Sequence, residues 1–436
     1  MRDFGRSDDP RVQALLDRLA ALSLPQGRLG LDTIRALMER LGNPHRQLPP
    51  TFHVAGTNGK GSTCAFLRAM LEAEGYRVHV TTSPHLVRYN ERIRLAGELI
   101  SDAMLADVLE EVLDAGADLG PSFFEVTIAA AFLAFSRTPA DVCIVEVGMG
   151  GRFDATNVLE PDVLAACGIA ALGLDHERFL LAPEDGVPTE PMARIAFEKA
   201  GIAKRGVPLV NIARPAIETD SIATVAEAKG ARLFVQGEDW FASPCDGGLA
   251  YSDHTGKDGI DGMNLDPPAL PGVHQFQNAG LAIAMLRHQD RLPVRCGAFS
   301  RGLQAARWPA RMQRLRPGPI AGLREVWLDG GHNPQAGAML GEHFAGQRLH
   351  LIIGMIEGKD PASLIGPLGP ALASITAVPV PGHDWHPASA FSPEAHPAPD
   401  VPSALAMIPD DGLPVLIAGS LYLAGEVLRL NDELPD

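Results

Sequence analysis

The segment Thr51-Phe-His-Val-Ala-Gly-Thr-Asn-Gly-Lys-Gly-Ser-Thr63 passes from a short apolar stretch through closely spaced glycines to a lysine and two hydroxyls. That order of residue types suits the holding of phosphate. Gly56, Gly59 and Gly61 let backbone N–H groups approach anionic oxygens, and a helix starting at Lys60 adds unpaired N–H donors and the positive end of its dipole. Lys60 supplies a point charge for the outer phosphates. Ser62 or Thr63 supplies a hydroxyl for phosphate or Mg²⁺. Val54 stands where the strict eight-residue pattern has its first glycine, so the loop is a variant. An ordinary glycine-rich turn is the plain alternative.

Other groups are placed to join such a site. Glu146 ends an apolar run and precedes Gly148-Met-Gly-Gly-Arg-Phe-Asp-Ala-Thr-Asn157. A carboxylate at a strand's C-terminal end faces the crevice where α/β sheets bind ligands. Mg²⁺ accepts few protein carboxylates and several waters or phosphate oxygens, so Glu146 is a candidate ligand. A buried ion pair with an arginine such as Arg152 is the competing reading. His176, in Gly173-Leu-Asp-His176, also falls after an apolar segment and could ligate metal or phosphate. Ser83 follows another strand and could complete a metal shell. Lys199 reads as a surface lysine near a helix end, with no role that its surroundings in sequence suggest. Farther on, Leu328-Asp-Gly-Gly-His-Asn-Pro334 is again strand end, glycine turn and helix start. Asp329 could bond a ribose hydroxyl, while His332 and Asn333 could reach phosphate or base. Asn333 as N-cap with Pro334 at the first helical position fits equally well. His383-Asp-Trp-His386 has a metal-like spacing, but its proline-rich setting favours a surface loop.

Alternating elements must position these groups. Strands are predicted at Thr51–Ala55, Arg77–Thr82, Asp141–Val147, Asp162–Gly168 and Pro208–Ile212. Helices are predicted at Asp32–Leu41, Lys60–Glu74, Asp102–Ala115 with Ser101 as N-cap, Phe124–Ser136, Pro191–Ala200 and Gln275–His288. Near-continuous apolar strands such as Val142–Val147 suit a parallel sheet covered on both faces. The expected class is α/β: a doubly wound, mostly parallel sheet domain over residues 1–306, then a smaller α/β domain over 307–436. Residues 242–271 are rich in Gly, Asp and Pro and read as a hairpin or loop excursion. Residues 380–402 read as a loop. In the second domain, strands are expected at Glu325–Leu328, Leu349–Gly354, Ser374–Val378 and Pro414–Ala418, with helices at Pro334–Phe344 and Leu421–Leu428.

Composition excludes several classes. With 436 residues, two domains are the natural expectation. A net charge of -16 with no Lys/Arg-rich run argues against nucleic acid as a partner. There is no apolar run long enough to span a bilayer, and the N-terminus lacks the apolar core of a signal peptide. The five cysteines form no C-x-x-C pair. A cytoplasmic protein without membrane contact is expected.

Taken in order, these blocks resemble the folylpolyglutamate synthase/dihydrofolate synthase family of the Mur-ligase-like ATP-dependent amide ligases. The matching segments are His53–Thr63, Thr82–Leu86, Ser122–Glu125, Glu146–Asn157, Gly173–His176, Glu198–Ile202 and Asp329–Pro334. Gly-Thr-Asn-Gly-Lys alone would fit any Mur-type ligase. The inserted Gly61, the Ser-Pro-His-Leu block and the Glu-Val-Gly-Met-Gly-Gly-Arg block mark the folate branch. The resemblance implies Mg²⁺ ligation by Ser83, Glu146 and His176. It implies ATP contacts from Asn58, Gly59, Lys60, Gly61, Ser62, Asn278, Arg311, Asp329 and His332. It makes Lys60, His176 and Lys199 catalytic, with Lys199 carbamylated. It places pteroate against Ser122, Phe123, Phe124, Glu125, Phe153, Asp154, Ala155, Gly419 and Ser420. One departure stands out: the connection from Arg178 to Met192 is several residues longer than the family's usual one.

The implied reaction consumes ATP to activate a carboxylate of dihydropteroate or a reduced folate as an acyl phosphate. The amine of L-glutamate then attacks through a tetrahedral intermediate. A monomer with ATP and Mg²⁺ as cofactors is expected. Two rivals share parts of the pattern: a cell-wall precursor ligase of the same superfamily, and a P-loop nucleotide switch with no ligase activity.

Overall fold

The computed structural model describes residues 5–22, 30–259 and 261–435. The chain divides into two compact units: residues 1–269 with 275–307, and residues 308–436 with 270–274.

The first unit is built on eight strands: β1 (Thr51–Ala55), β2 (Val78–Thr81), β3 (Ile93–Leu95), β4 (Glu98–Leu99), β5 (Val142–Glu146), β6 (Leu164–Ile169), β7 (Pro208–Asn211) and β8 (Arg232–Val235). Their order is β4-β3-β2-β5-β1-β6-β7-β8. All pairs from β2 to β8 across the sheet are parallel; only β3 and β4 run against their neighbours. Every residue of β1, β2, β5, β6 and β7 is buried, as expected of strands covered on both faces. From β1 the chain first winds toward β2 and β5, then crosses to β6 and β7 on the other side. The sheet is doubly wound about β1, and its ligand crevice opens at the C-terminal ends of β5, β1 and β6.

The predicted strands and helices of this unit occur with ends shifted by no more than two residues. Several elements had no expectation attached. Helix Pro10–Ala20 is capped by Asp9, and helices Ala216–Lys229 and Cys296–Ala305 complete the layers. The excursion near 242–271 is an ordered antiparallel sheet of β9 (Trp240–Cys245), β10 (Gly248–Asp253) and β11 (Gly262–Leu265). It is anchored by the fully buried Trp240 and by a buried ion pair of Asp253 with Arg287.

The second unit has six strands: β12 (Gln313–Arg314), β13 (Val326–Asp329), β14 (Leu349–Ile353), β15 (Leu372–Ala377), β16 (His396–Pro397) and β17 (Val415–Ala418). Their order is β12-β13-β17-β14-β15-β16, parallel except for β12. Leu349, Leu351, Ile353, Leu364 and Leu416 form part of its core. The stretch expected to be a loop, 380–402, contains β16 and the start of helix Val401–Met407. His386 there bonds the Lys359 carbonyl at 2.8 Å, and the His383 ring packs at a tilt against that of Tyr422. The two histidines therefore serve different partners.

Helix Lys60–Glu74 carries the phosphate loop, and helix Cys296–Ala305 packs on it at close range. A Cβ at Gly302 would lie 2.6 Å from the Met70 backbone nitrogen and Cα. No side-chain rotation relieves a clash with backbone. Gly302→Ala is therefore expected to destabilise the first unit by about 1–3 kcal/mol, the usual cost of overpacking. A lowered urea midpoint reads it out, and an unchanged midpoint contradicts this packing.

Candidate active site

The phosphate loop leaves β1 at Ala55 and enters its helix at Lys60. Gly59 is left-handed, with φ of 82°, and no side chain caps the helix behind it. The helix's first N–H groups are thus left for a ligand. A Cβ at Gly59 would collide with the amide of Asn278. Asn278 is itself held by Gln275 at 3.0 Å, so an asparagine distant in sequence forms the wall of the loop. Thr57 and Asn58 donate backbone N–H bonds to the Ala171 carbonyl at 2.7 and 3.1 Å, and the Thr57 hydroxyl bonds the Gly173 carbonyl at 3.0 Å. The loop is therefore fastened to the segment leaving β6. Lys60 Nζ donates to the Thr57 carbonyl at 3.3 Å. The Ser62 hydroxyl is buried beside Gln275, and the buried Thr63 hydroxyl has no partner among the described residues. Uncapped N–H groups, an ammonium and hydroxyls make a donor set that fits a nucleotide's phosphates.

Glu146 lies one strand over. Val54 of β1 pairs with Glu146 of β5, which puts the carboxylate at the loop's edge of the sheet. It is buried, and it accepts the Ser83 N–H at 3.1 Å. The expected competitor, an ion pair with Arg152, is not formed; Arg152 binds Glu184 and Glu198 instead. A carboxylate next to a serine, at the phosphate loop's edge of the sheet, fits a hard cation that keeps most of its waters. His176 follows β6 in the left-handed region (φ 53°) and is partly exposed, with Nε2 3.8 Å from Asp175. Among the described residues, no three His, Cys, Asp or Glu side chains form a ready-made metal cluster. Ser83 and Glu146 are brought together, while His176 stands beside Asp175.

Lys199 departs most from expectation. It is 4% exposed, and its Nζ donates to the Gly56 carbonyl at 2.9 Å, inside the phosphate loop. The reading as a surface lysine fails because helix Pro191–Ala200 packs its end against the glycine turn. A Cβ at Gly151 would lie 2.9 Å from the carbonyls of Glu198 and Lys199. Burial, and then the charge of Lys60, lower the Lys199 ammonium to about 7, against the pull of Asp175 and Asp154. A lysine so tuned is a free amine in a substantial share of molecules at neutral pH and can act as nucleophile or base.

Phe124 lies over Gly148, where any Cβ would strike its ring. Phe153 is half-buried beneath the Arg152 guanidinium, 4.2 Å from its ring centre. The neighbouring groups are occupied by the fold. Phe123 is buried against Tyr89. Ser122 and Glu125 form a reciprocal capping box. Asp154 accepts from the Thr156 and Met149 N–H groups at 3.0 and 2.8 Å and leads into Ala155. Burial raises the Asp154 carboxyl despite these donors.

The second unit has a parallel arrangement of its own. Asp329 ends β13 and pairs with Ala418 of β17, so Gly419 and Ser420 emerge beside it. Asp329 accepts from the Met312 and Gly331 N–H groups at 2.9 and 2.7 Å. Burial raises its carboxyl, and neighbouring Arg311 offsets part of that. His332 Nδ1 lies 3.3 Å from the Gly330 carbonyl, while Asn333 and Ser420 cap helices. Arg311, Asp329, His332, Gly419 and Ser420 thus cluster at one sheet edge.

Sequence reasoning passed over Arg214. Its Nη2 donates to the Ile169 and Ala170 carbonyls at 2.9 and 2.6 Å, closing the end of β6. Burial lowers it to about 10. Its one sequence signal is an arginine just past a strand end.

Comparison with known proteins follows the same lines. No family model matches the chain. The dihydrofolate synthase/folylpolyglutamate synthase of Escherichia coli is 36% identical over 345 residues, covering 77% of this chain and 74% of its own. That of Bacillus subtilis is 34% identical over 357 residues, covering 77% of each chain. Among solved structures, Escherichia coli FolC in complex with DHPP and ADP aligns with a TM-score of 0.84 at 30% identity, covering 98% of both chains. A bifunctional folylpolyglutamate synthase/dihydrofolate synthase with Mn, AMPPNP and L-glutamate bound aligns at 0.81 and 31%, covering 98% of this chain and 99% of its own.

The buried lysine makes a pH-dependent prediction. Folded Lys199 releases its proton near pH 7, whereas an unfolded chain keeps it to about 10.5. Between these values the unfolded chain binds more protons, so stability rises with pH. Lys199→Met lacks this group. Its stability advantage over the wild type should be greatest below pH 7 and shrink as pH climbs toward 10.5. Urea midpoints of both proteins across that range measure it; a pH-independent difference would contradict the buried ammonium.

Proposed function

Because this chain belongs to the dihydrofolate synthase/folylpolyglutamate synthase family of ATP-dependent ligases, we propose that it adds L-glutamate both to dihydropteroate and to reduced folates. It does so at one site, as a cytoplasmic monomer. Neither rival reading, cell-wall ligase or nucleotide switch, finds support among these relatives. The observation that carries the reading is the gathering of Lys60, Glu146, Ser83 and Lys199 at the ends of β1, β5 and neighbouring elements.

In this reading the uncapped N–H groups behind Gly59 and the Lys60 ammonium bind and orient the phosphates of ATP. Asn58, Gly61 and Ser62 complete the cradle and Asn278 fixes its shape. Within the second unit, Arg311, Asp329 and His332 form a further set of groups suited to a nucleotide. Ser83, Glu146 and His176 would hold Mg²⁺, which when bound neutralises charge on the transferring phosphoryl group. The low-pKa amine of Lys199 adds to CO₂, forming an N–C bond and releasing one proton. The resulting carbamate would give the site a second anion. Phe124 and Phe153 offer flat apolar surface to the pterin, framed by Ser122, Phe123, Glu125, Asp154 and Ala155. A substrate carboxylate is activated as an acyl phosphate, and the glutamate amine then displaces phosphate. Lys60 and the loop's N–H groups act where charge develops.

The deciding experiment supplies purified protein with ATP, Mg²⁺ and L-glutamate, and either dihydropteroate or a reduced folate. ADP release should need glutamate and a pterin substrate together, and each pterin substrate should inhibit use of the other. ADP release without them would indicate a plain ATPase. Turnover of only one substrate would remove the dual activity.

Glu146→Gln tests the metal assignment, since it keeps the shape and removes the charge. The variant should need several-fold more Mg²⁺ for half-maximal rate and should recover part of its activity at high Mg²⁺. A titration matching the wild type would free Glu146 of that role.

A further inference from the structure

The connection between Arg178 and Met192 is ordered around a four-membered ion network. Glu184 accepts from Arg152 Nη1 and Nη2 at 3.1 and 2.6 Å and from Arg194 Nη2 at 2.9 Å. Glu198 accepts from Arg152 Nε and Nη2 at 3.1 and 2.8 Å, and lies 3.0 Å from Arg194 Nη2. Side-chain exposures run from 6% for Arg194 and Glu198 to 15% for Glu184 and 20% for Arg152. Two guanidinium groups and two carboxylates therefore balance in a largely dry setting. Arg194 Nε also donates to the Leu180 carbonyl, tying the short helix Glu177–Leu180 into the network.

This network is continuous with the proposed pterin surface. Arg152 holds its guanidinium 4.2 Å from the centre of the Phe153 ring and 5.0 Å from that of Phe197. Its N–H bonds the Glu198 carbonyl at 2.8 Å, one residue from Lys199. A cavity of about 630 Å³ opens beside it, lined by the four charged groups together with Met149, Phe153, Phe179 and Pro183. The long connection supplies one wall of that cavity and the glycine turn after Glu146 supplies the other. Glu184 is the connection's one charged member of the network.

We propose that Glu184 is a positioning residue for the pterin substrate: it clamps Arg152 over Phe153 and so sets the floor of the cavity that the long connection walls. The Glu184 carboxylate is engaged by Arg152 and Arg194. It acts through Arg152, whose bidentate bonds fix the guanidinium plane. Without the Glu184 charge, two guanidinium groups share one carboxylate, and Arg152 keeps only its bonds to Glu198, which leave Nη1 without its carboxylate anchor. The Glu184 bonds go to Arg152 and Arg194, whereas the phosphate loop is fastened to Ala171, Gly173 and Lys199, so ATP binding should be spared. The inference rests on the ligase reading above.

The test compares wild type, Glu184→Gln, Arg152→Lys and the double variant, with KM for dihydropteroate and KM for ATP measured separately. Each single variant should raise KM for dihydropteroate about tenfold while KM for ATP stays within about twofold. The double variant should be no worse than the worse single one, because both changes break the same contact. An unchanged KM for dihydropteroate in Glu184→Gln, or equal rises in both KM values, would overturn the proposal. Additive effects in the double variant would also overturn it. If Glu184→Gln does not fold, Glu184→Asp keeps the charge and shortens its reach; its KM for dihydropteroate should still rise selectively, and an unchanged value would overturn the proposal. A wild-type chain that is active while Glu184→Gln behaves normally defeats this inference alone. A wild-type chain inactive toward dihydropteroate defeats the ligase reading and this inference with it.

Discussion

The parallel pairing of β1 between β5 and β6 is the constraint on which the first unit's chemistry depends. Register places Val54 beside Glu146 and Ala55 beside Ile169. The chain must turn immediately afterwards on all three strands, and each turn carries a group suited to phosphate or metal. A slip of one residue would point Glu146 to the other face of the sheet, because side chains alternate along a strand. Burial of both faces makes such a slip costly. The apolar strands therefore hold the carboxylate in place as much as they build a core.

The second theme is how much charge the fold confines near that edge. Lys60 and Lys199 both direct ammonium groups into one glycine loop, at the carbonyls of Thr57 and Gly56. Burial first, and the neighbouring charge of Lys60 second, raise the energy of the protonated state, and the lower pKa of Lys199 is the consequence. Anionic ligands would relieve both charges at once. Such a site costs stability in its empty form and recovers it on binding. Arg214 adds a further buried cation beside β6, spending its donors on strand-end carbonyls instead.

Close backbone approach links these features. Gly151 and Gly201 let the turn after Glu146 lie directly on the end of helix Pro191–Ala200. Lys199 is thereby carried to the phosphate loop, and Glu198 to Arg152. The long connection before that helix uses the same meeting point, adding Glu184 to a pair of arginines that would otherwise face one carboxylate.

By itself the sequence determined the α/β class, the strands and helices that carry the phosphate loop, and Glu146 and Asp329 at strand ends. These are local matters: apolar runs, glycine turns and helix caps each announce themselves within a dozen residues. The resemblance to a family supplied Asn278, Arg311 and Lys199, which no local pattern picks out. Tertiary structure decided what those residues touch. Lys199 looks like a solvated lysine in its own helix, and only packing against Gly56 makes it a buried amine. Arg152 could have neutralised Glu146, but Glu184 and Glu198 claim it, and both depend on how distant segments meet. Phe123, Glu125 and Asp154 carry functional side-chain types, yet core packing and caps also use them. Side-chain chemistry is written in sequence. Desolvation and partner choice arise only when segments far apart in the chain exclude water from one place.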